Sequence, residues 1–183
     1  MQDKRKRKML SIILSIIVLL VLAVGVWKIW SASLQIPVPI TDAALKEFYY
    51  SHSGSMVDEI YSYEIKSDES SPTGYTVIFD LNCGYEVYST SADAELVQAV
   101  IDLIEECELH KWNGFNETDS MVMDGSGFSL WIVYADGTEI YAHGSNSFPA
   151  NYGESADKID MLFEAYMEAN RNRLVEITDE WHS

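Results

Sequence analysis

Beyond its first thirty residues the chain is short of positive charge. All but one of its 29 acidic residues lie past that point, against half of its 12 basic ones. That deficit argues against binding nucleic acid or anionic lipid headgroups over Ser31–Ser183. Cysteine is scarce too. Cys83 and Cys107 form no C-x-x-C pair, and no H-E-x-x-H occurs, so the common zinc signatures are absent. Glycine never gathers into a phosphate-cradling loop: Gly125-Ser126-Gly127 precedes a predicted strand, not a helix. No serine sits in a G-x-S-x-G elbow. Asp119–Gly125 lacks the alternating oxygens of a calcium-binding loop. No cofactor is expected. The acidic surface leaves cation binding as a minor possibility, with simple solubility as the plainer reading.

What is present begins with Met9–Trp30, MLSIILSIIVLLVLAVGVWKIW. Its stretch to Trp27 carries no charge, and as a helix it would span roughly 28 Å, close to the hydrocarbon thickness of a bilayer. Lys4, Arg5, Lys6, Arg7 and Lys8 precede it without a break, while Lys28 is the only cation close after it. Positive residues stay on the cytoplasmic side, so Ser31–Ser183 is expected outside. Trp27, Lys28 and Trp30 read as interfacial anchors. The length and flanks favour an uncleaved signal anchor over a cleaved signal, although Ser31-Ala32-Ser33 has the small-x-small pattern a signal peptidase cuts after.

The expected organisation is a basic cytoplasmic tail (1–8), a transmembrane anchor (9–30), a spacer stiffened by Pro37 and Pro39 (31–41), an extracytoplasmic domain (42–170), and a tail or helix extension (171–183). Within the domain, Leu45–His52, Glu59–Lys66, Tyr75–Leu81 and Tyr85–Ser89 read as strands joined by short connections, which favours an antiparallel meander. The period then changes. Ala92–Leu109 places Leu96, Val100, Leu103 and Cys107 on one stripe and predicts an amphipathic helix, with Thr90 and Asp93 resembling a capping box. Asp136-Gly137 between two apolar, β-prone runs predicts a hairpin over Phe128–His143. A two-residue turn there would pair Val133 with Ile140 and Leu130 with His143. Ser155–Met167 reads as a second helix. The fold class expected is α+β: an antiparallel sheet of about six strands with two helices packed on one face.

Two loops flank the hairpin. They carry Trp112, Phe115, Asn146, Phe148, Asn151 and Tyr152, with His143 at the hairpin's end. Aromatics beside amides suit a rim that binds a protein or glycan partner. The competing reading is that these rings close the edge of the core. His143 with a nearby serine such as Ser145, or with Asp124, is the constellation that a hydrolase would need. Cys83 and Cys107 form a possible disulfide, since an exported compartment permits one.

The runs Trp112-Asn113-Gly114-Phe115, Asp124–Leu130 and His143–Tyr152 resemble those of a group of membrane-anchored or lipoprotein-type bacterial proteins with no assigned activity. The resemblance implies a compact α+β domain in a bacterial cell-envelope setting. It supplies no catalytic or cofactor residue. The expectation is therefore a single-pass, membrane-anchored extracytoplasmic domain that binds rather than catalyses.

Overall fold

The computed structural model describes residues 41, 43–54, 60–68, 74–121 and 125–177. The basic run Lys4–Lys8, the apolar stretch with Trp27, Lys28 and Trp30, the Pro37/Pro39 spacer and Asp124 lie outside the described residues. Among the described residues, no helix is long and apolar enough to cross a membrane.

Among the described residues the fold is α+β, with one eight-stranded sheet and two α-helices. Strands β1 (Leu45–Ser53), β2 (Ile60–Ser67), β3 (Tyr75–Asp80) and β4 (Val87–Ala92) form the expected antiparallel meander. Helix α1 (Ala94–Glu106) follows. A short 3-10 turn (Leu109–Trp112) then leads to β5 (Asn116–Thr118). The hairpin β6 (Gly127–Tyr134) and β7 (Glu139–Ser145) precedes helix α2 (Tyr152–Ala169). A two-residue strand, β8 (Val175–Glu176), ends the described chain.

The sheet order is β5-β7-β6-β1-β2-β3-β4-β8. Strand β6 returns to the free edge of β1, which makes β1 central. The two strands beyond the expected six are β5 and β8, of three and two residues, too short to show a period. Strand β5 joins β7 in parallel, the sheet's one parallel pairing among the described strands.

Several boundaries differ from expectation for identifiable reasons. The fourth strand starts at Val87, not Tyr85, because Asp80 Oδ1 accepts from the amides of Asn82 and Gly84 and holds a turn through Glu86. Cys83 and Gly84 both have positive φ there. Asp93, not Thr90, caps α1: its Oδ1 accepts from the Leu96 amide at 2.9 Å. The acidic end of α1 is relieved by two ion pairs, Glu108 with Lys111 and Glu106 with Lys158 from α2. The tail does not extend α2. The helix stops at Ala169, and the Ile177 amide donates to the Val87 carbonyl as β8 joins β4.

The hairpin forms where Asp136-Gly137 predicts it, one residue out of the expected register. Tyr134 N donates to Thr138 O, and Gly137 takes φ +84°, so the loop has three residues ending in a left-handed glycine. Leu130 therefore opposes Ala142, and Ile132 opposes Ile140. That register aligns the buried residues of both strands on one face. The two-residue alternative would set Ile140 and Ala142 against the outward residues Val133 and Trp131.

The core lies between that face and the helices. Paired rows run Ile140–Ile132–Phe48–Ile65–Val77 and Ala142–Leu130–Tyr50–Tyr63–Phe79 across five strands, nearly all fully buried. Helix α1 adds Leu96, Val100, Leu103 and Ile104, and α2 adds Ile159 and Phe163. The Phe163 ring stacks on Tyr63 at 4.7 Å and Phe48 at 5.7 Å, and meets Phe79 edge-on.

Candidate functional site

The loop aromatics fall on the core side. Trp112 is 2% exposed and Phe115 6%. Both rings pack against Phe128, as do Phe148 and the ring of Tyr152, 4.7 Å away. Phe148 and Tyr152 are half-buried. Five rings thus form a cluster centred on Phe128, and it closes the core at the end of β6. Asn151 ties the cluster together. Its Oδ1 accepts from Trp112 Nε1 at 3.2 Å, and its Nδ2 donates to the Cys107 carbonyl at 2.9 Å. Asn146, with φ +54°, turns the chain out of β7, and its Nδ2 donates to the Asp119 carbonyl. Of the expected rim residues, Trp112 and Phe115 are buried in the core edge, Phe148 and Tyr152 are half-buried against it, and Asn151 is exposed.

Gly144 makes the closure possible. A Cβ at this position would lie 2.1 Å from the Ser147 carbonyl and 2.6 Å from the Phe128 ring. Gly144→Ala is expected to cost about 1–3 kcal/mol by forcing backbone and ring apart. Urea denaturation followed by near-UV circular dichroism measures it.

The closure also holds a line of hydroxyls. Tyr50 Oη and Tyr152 Oη are 3.0 Å apart, and Tyr152 Oη is 3.2 Å from His52 Nδ1. His52 stacks on Tyr61, whose hydroxyl donates to Asp160 Oδ2 at 2.8 Å. Burial pushes Tyr152 up to about 12, and burial likewise raises Tyr50, Tyr61 and Tyr63. These phenols stay protonated at neutral pH. They are structural donors, not activated nucleophiles.

His143 separates from the other expected rim residues. It points to the sheet's second face, opposite the helices, where strand pairing sets two rows side by side. One row is Tyr141–Trp131–Tyr49, continuing to Glu64 and Ile78. The next is His143–Ser129–Ser51–Ser62–Asp80. Neighbouring strands lie about 4.8 Å apart, so three aromatic side chains project from adjacent strands as a short ladder. Trp131 is 42% exposed and Tyr141 49%. Beside the ladder, Ser51, Ser53, Ser129, Ser145 and His143 line a shallow cavity of about 190 Å³. His143 Nδ1 lies 3.0 Å from Ser129 Oγ.

That contact meets the first requirement of a serine nucleophile and fails the next. Ser129 sits in mid-strand, with β1 on one side and β7 on the other. The ladder occupies the backbone amides around it, which leaves poor supply for an oxyanion hole. Ser155 and Lys158 have S-x-x-K spacing that the sequence reading overlooked. They too fail, because Ser155 is 1% exposed and Lys158 is held by Glu106 and Glu154. Cys83 and Cys107 are both free, the first exposed in its turn and the second buried at the end of α1. The possible disulfide is not formed. Among the described residues, no group of three His, Cys, Asp or Glu side chains is placed to hold a metal ion.

The expected two-residue turn would have set Tyr141 opposite Ile132 and so on the other face from Trp131; the observed register pairs Trp131 with Tyr141. Tyr49 joins them only through the pairing of β1 with β6, far apart in sequence. No family model, no curated protein and no solved structure matches the chain.

Proposed function

We propose that the domain is a membrane-tethered, extracytoplasmic binding module that takes a neutral glycan chain on the open face of its sheet. The observation carrying this reading is the Tyr141–Trp131–Tyr49 ladder beside the hydroxyl-lined cavity at Ser129 and His143. Flat rings stack on the apolar faces of sugar rings, and the adjacent serines and imidazole supply donors and acceptors for sugar hydroxyls. A net charge of −17 disfavours anionic polymers. The apolar segment Met9–Trp30, after its basic run, supports the tether.

The test is calorimetric titration of the full chain in nonionic micelles with β-1,4-linked N-acetylglucosamine tetramer and with a glucose tetramer. Trp131→Ala is expected to weaken binding at least about tenfold. Its Tm should stay close to that of the parent, since Trp131 is 42% exposed. Tyr85→Ala, which removes a ring 83% exposed in the β3–β4 turn, should change neither. Failure of both tetramers to bind, or Trp131→Ala binding like the parent, sinks the proposal.

The Ser129–His143 contact is the one observation behind a second reading, a hydrolase with Ser129 as nucleophile and His143 as base, against which stands the poor oxyanion-hole supply of a mid-strand serine. Covalent labelling of Ser129 by a fluorophosphonate, lost in His143→Ala, would support it. An unlabelled chain would remove it.

A further inference from the structure

A second surface lies on the helix side of the sheet. Helix α2 and strands β2 and β3 enclose an open groove of about 630 Å³. Tyr61, Tyr63, Leu81 and Met161 form its apolar walls, and Glu164 and Glu168 stand on its lip. Met161 is 70% exposed at the edge.

The carboxylates are regularly spaced. Asp160, Glu164 and Glu168 recur every fourth residue along α2, which sets them about 6 Å apart. Like charges at that spacing destabilise a helix. Little within the fold offsets the repulsion. Arg171 pairs with Glu168 on the exposed surface, while among the described residues no cation pairs with Asp160 or Glu164. Asp160 Oδ2 accepts from the Tyr61 hydroxyl at 2.8 Å, while its Oδ1 is buried without a hydrogen bond. Burial, with Glu164 nearby, holds the Asp160 carboxyl above its ordinary range.

We propose that this groove seats an extended basic segment of a partner protein, with lysine or arginine on alternate residues and apolar residues between. Alternate residues of an extended chain repeat every 6.4–6.8 Å by the usual strand rise, roughly the spacing of the α2 carboxylates. The apolar residues would lie along Leu81 and Met161, whose flexible thioether adapts to varied partners. Tyr61, half-buried in the wall, adds an aromatic ring that favours a nearby cation. The Arg171–Glu168 pair is exposed and easily exchanged for an incoming cation. A second copy of the domain fits poorly. Its alternating cations beyond Trp30 are Arg171 and Arg173, two against a row of three carboxylates, and Arg173 is engaged by Ser91 and Asn170 of its own chain.

The probe is a fluorescein-labelled Lys-Leu-Lys-Leu-Lys peptide, followed by anisotropy with the full chain in nonionic micelles. Saturable binding is expected, weakened at least about tenfold in the Glu164→Gln/Glu168→Gln double variant. The Glu105→Gln/Glu108→Gln double variant removes the same charge from the end of α1 and should bind within about twofold of the parent. Asp160→Asn should bind the peptide more weakly yet melt higher, because it removes a poorly satisfied charge. Equal weakening by the two double variants, absence of saturable binding, or displacement by spermidine as efficiently as by unlabelled peptide would overturn the proposal. Trp131→Ala should leave peptide binding intact, which separates this groove from the open-face site.

Discussion

Phe163→Ala is expected to remove a large part of the domain's stability. Phe163 is fully buried, and its ring is the piece of α2 that reaches Phe48, Tyr63 and Phe79 on three adjacent strands. Truncation removes the transfer energy of the ring, its stacking on two aromatic faces, and the volume that keeps α2 seated. The cost should be about 3–5 kcal/mol, a large share of the stability a domain this size commonly has. In urea the midpoint should fall steeply with little change in slope. Phe163→Leu, which keeps most of the volume, should recover much of the loss. A midpoint shift below about 1 kcal/mol for the alanine variant would mean that α2 is held elsewhere.

Trp112→Ala should be nearly as damaging. Its indole stands edge-on to Phe128, lies 5.7 Å from the Tyr152 ring, and donates to Asn151 Oδ1. Removing it opens a cavity inside the aromatic cluster and strands the Asn151 carbonyl oxygen, for a cost of about 3–5 kcal/mol. Trp131→Ala, on the other face, should cost about 1 kcal/mol or less, because solvent already reaches its ring. The contrast between these two tryptophans expresses the central division of the domain: one aromatic group closes the core, and the other stands free. If Trp112→Ala kept the parent Tm and lost partner binding, the loop rim would be the binding surface after all.

Much of the fold was legible because local signals carried it. Tyr61, Tyr63 and Ile65 alternate with polar residues in the sequence of β2, and they share the core face. The stripe Leu96, Val100, Leu103 and Cys107 marked α1, and all four residues are buried. Asp136-Gly137 fixed the hairpin but not its register, since that dipeptide fits both a two-residue loop and a three-residue loop ending in a left-handed glycine. The choice is made by burial: Ile140 and Ala142 must join Ile132 and Leu130 on the core side. Strands β5 and β8 left no pattern to read, because each exists through pairing with a partner far along the chain.

The site was less legible for the same reason. Trp112 and Phe148 looked like loop residues of equal standing, and only Phe128, arriving between them in the sheet, shows that Trp112 is in the core and Phe148 half-buried against it. Tyr49 gave no sign of a shared role with Trp131 and Tyr141, since the three meet through β1–β6 and β6–β7 pairing. His143 stood out in the sequence as a polar group at the hairpin's end. Its company changed from the loop rings to Ser129 and Ser51 once the register turned it to the open face.

The most direct measurement of the central claim is amide chemical-shift mapping of the full chain in micelles, titrated with the N-acetylglucosamine tetramer. Shifts concentrated at Tyr49, Ser129, Trp131, Tyr141 and His143, with Phe115, Phe148 and Tyr152 unmoved, are the predicted result. Shifts centred on Phe115, Phe148 and Tyr152 with the open face silent would contradict it.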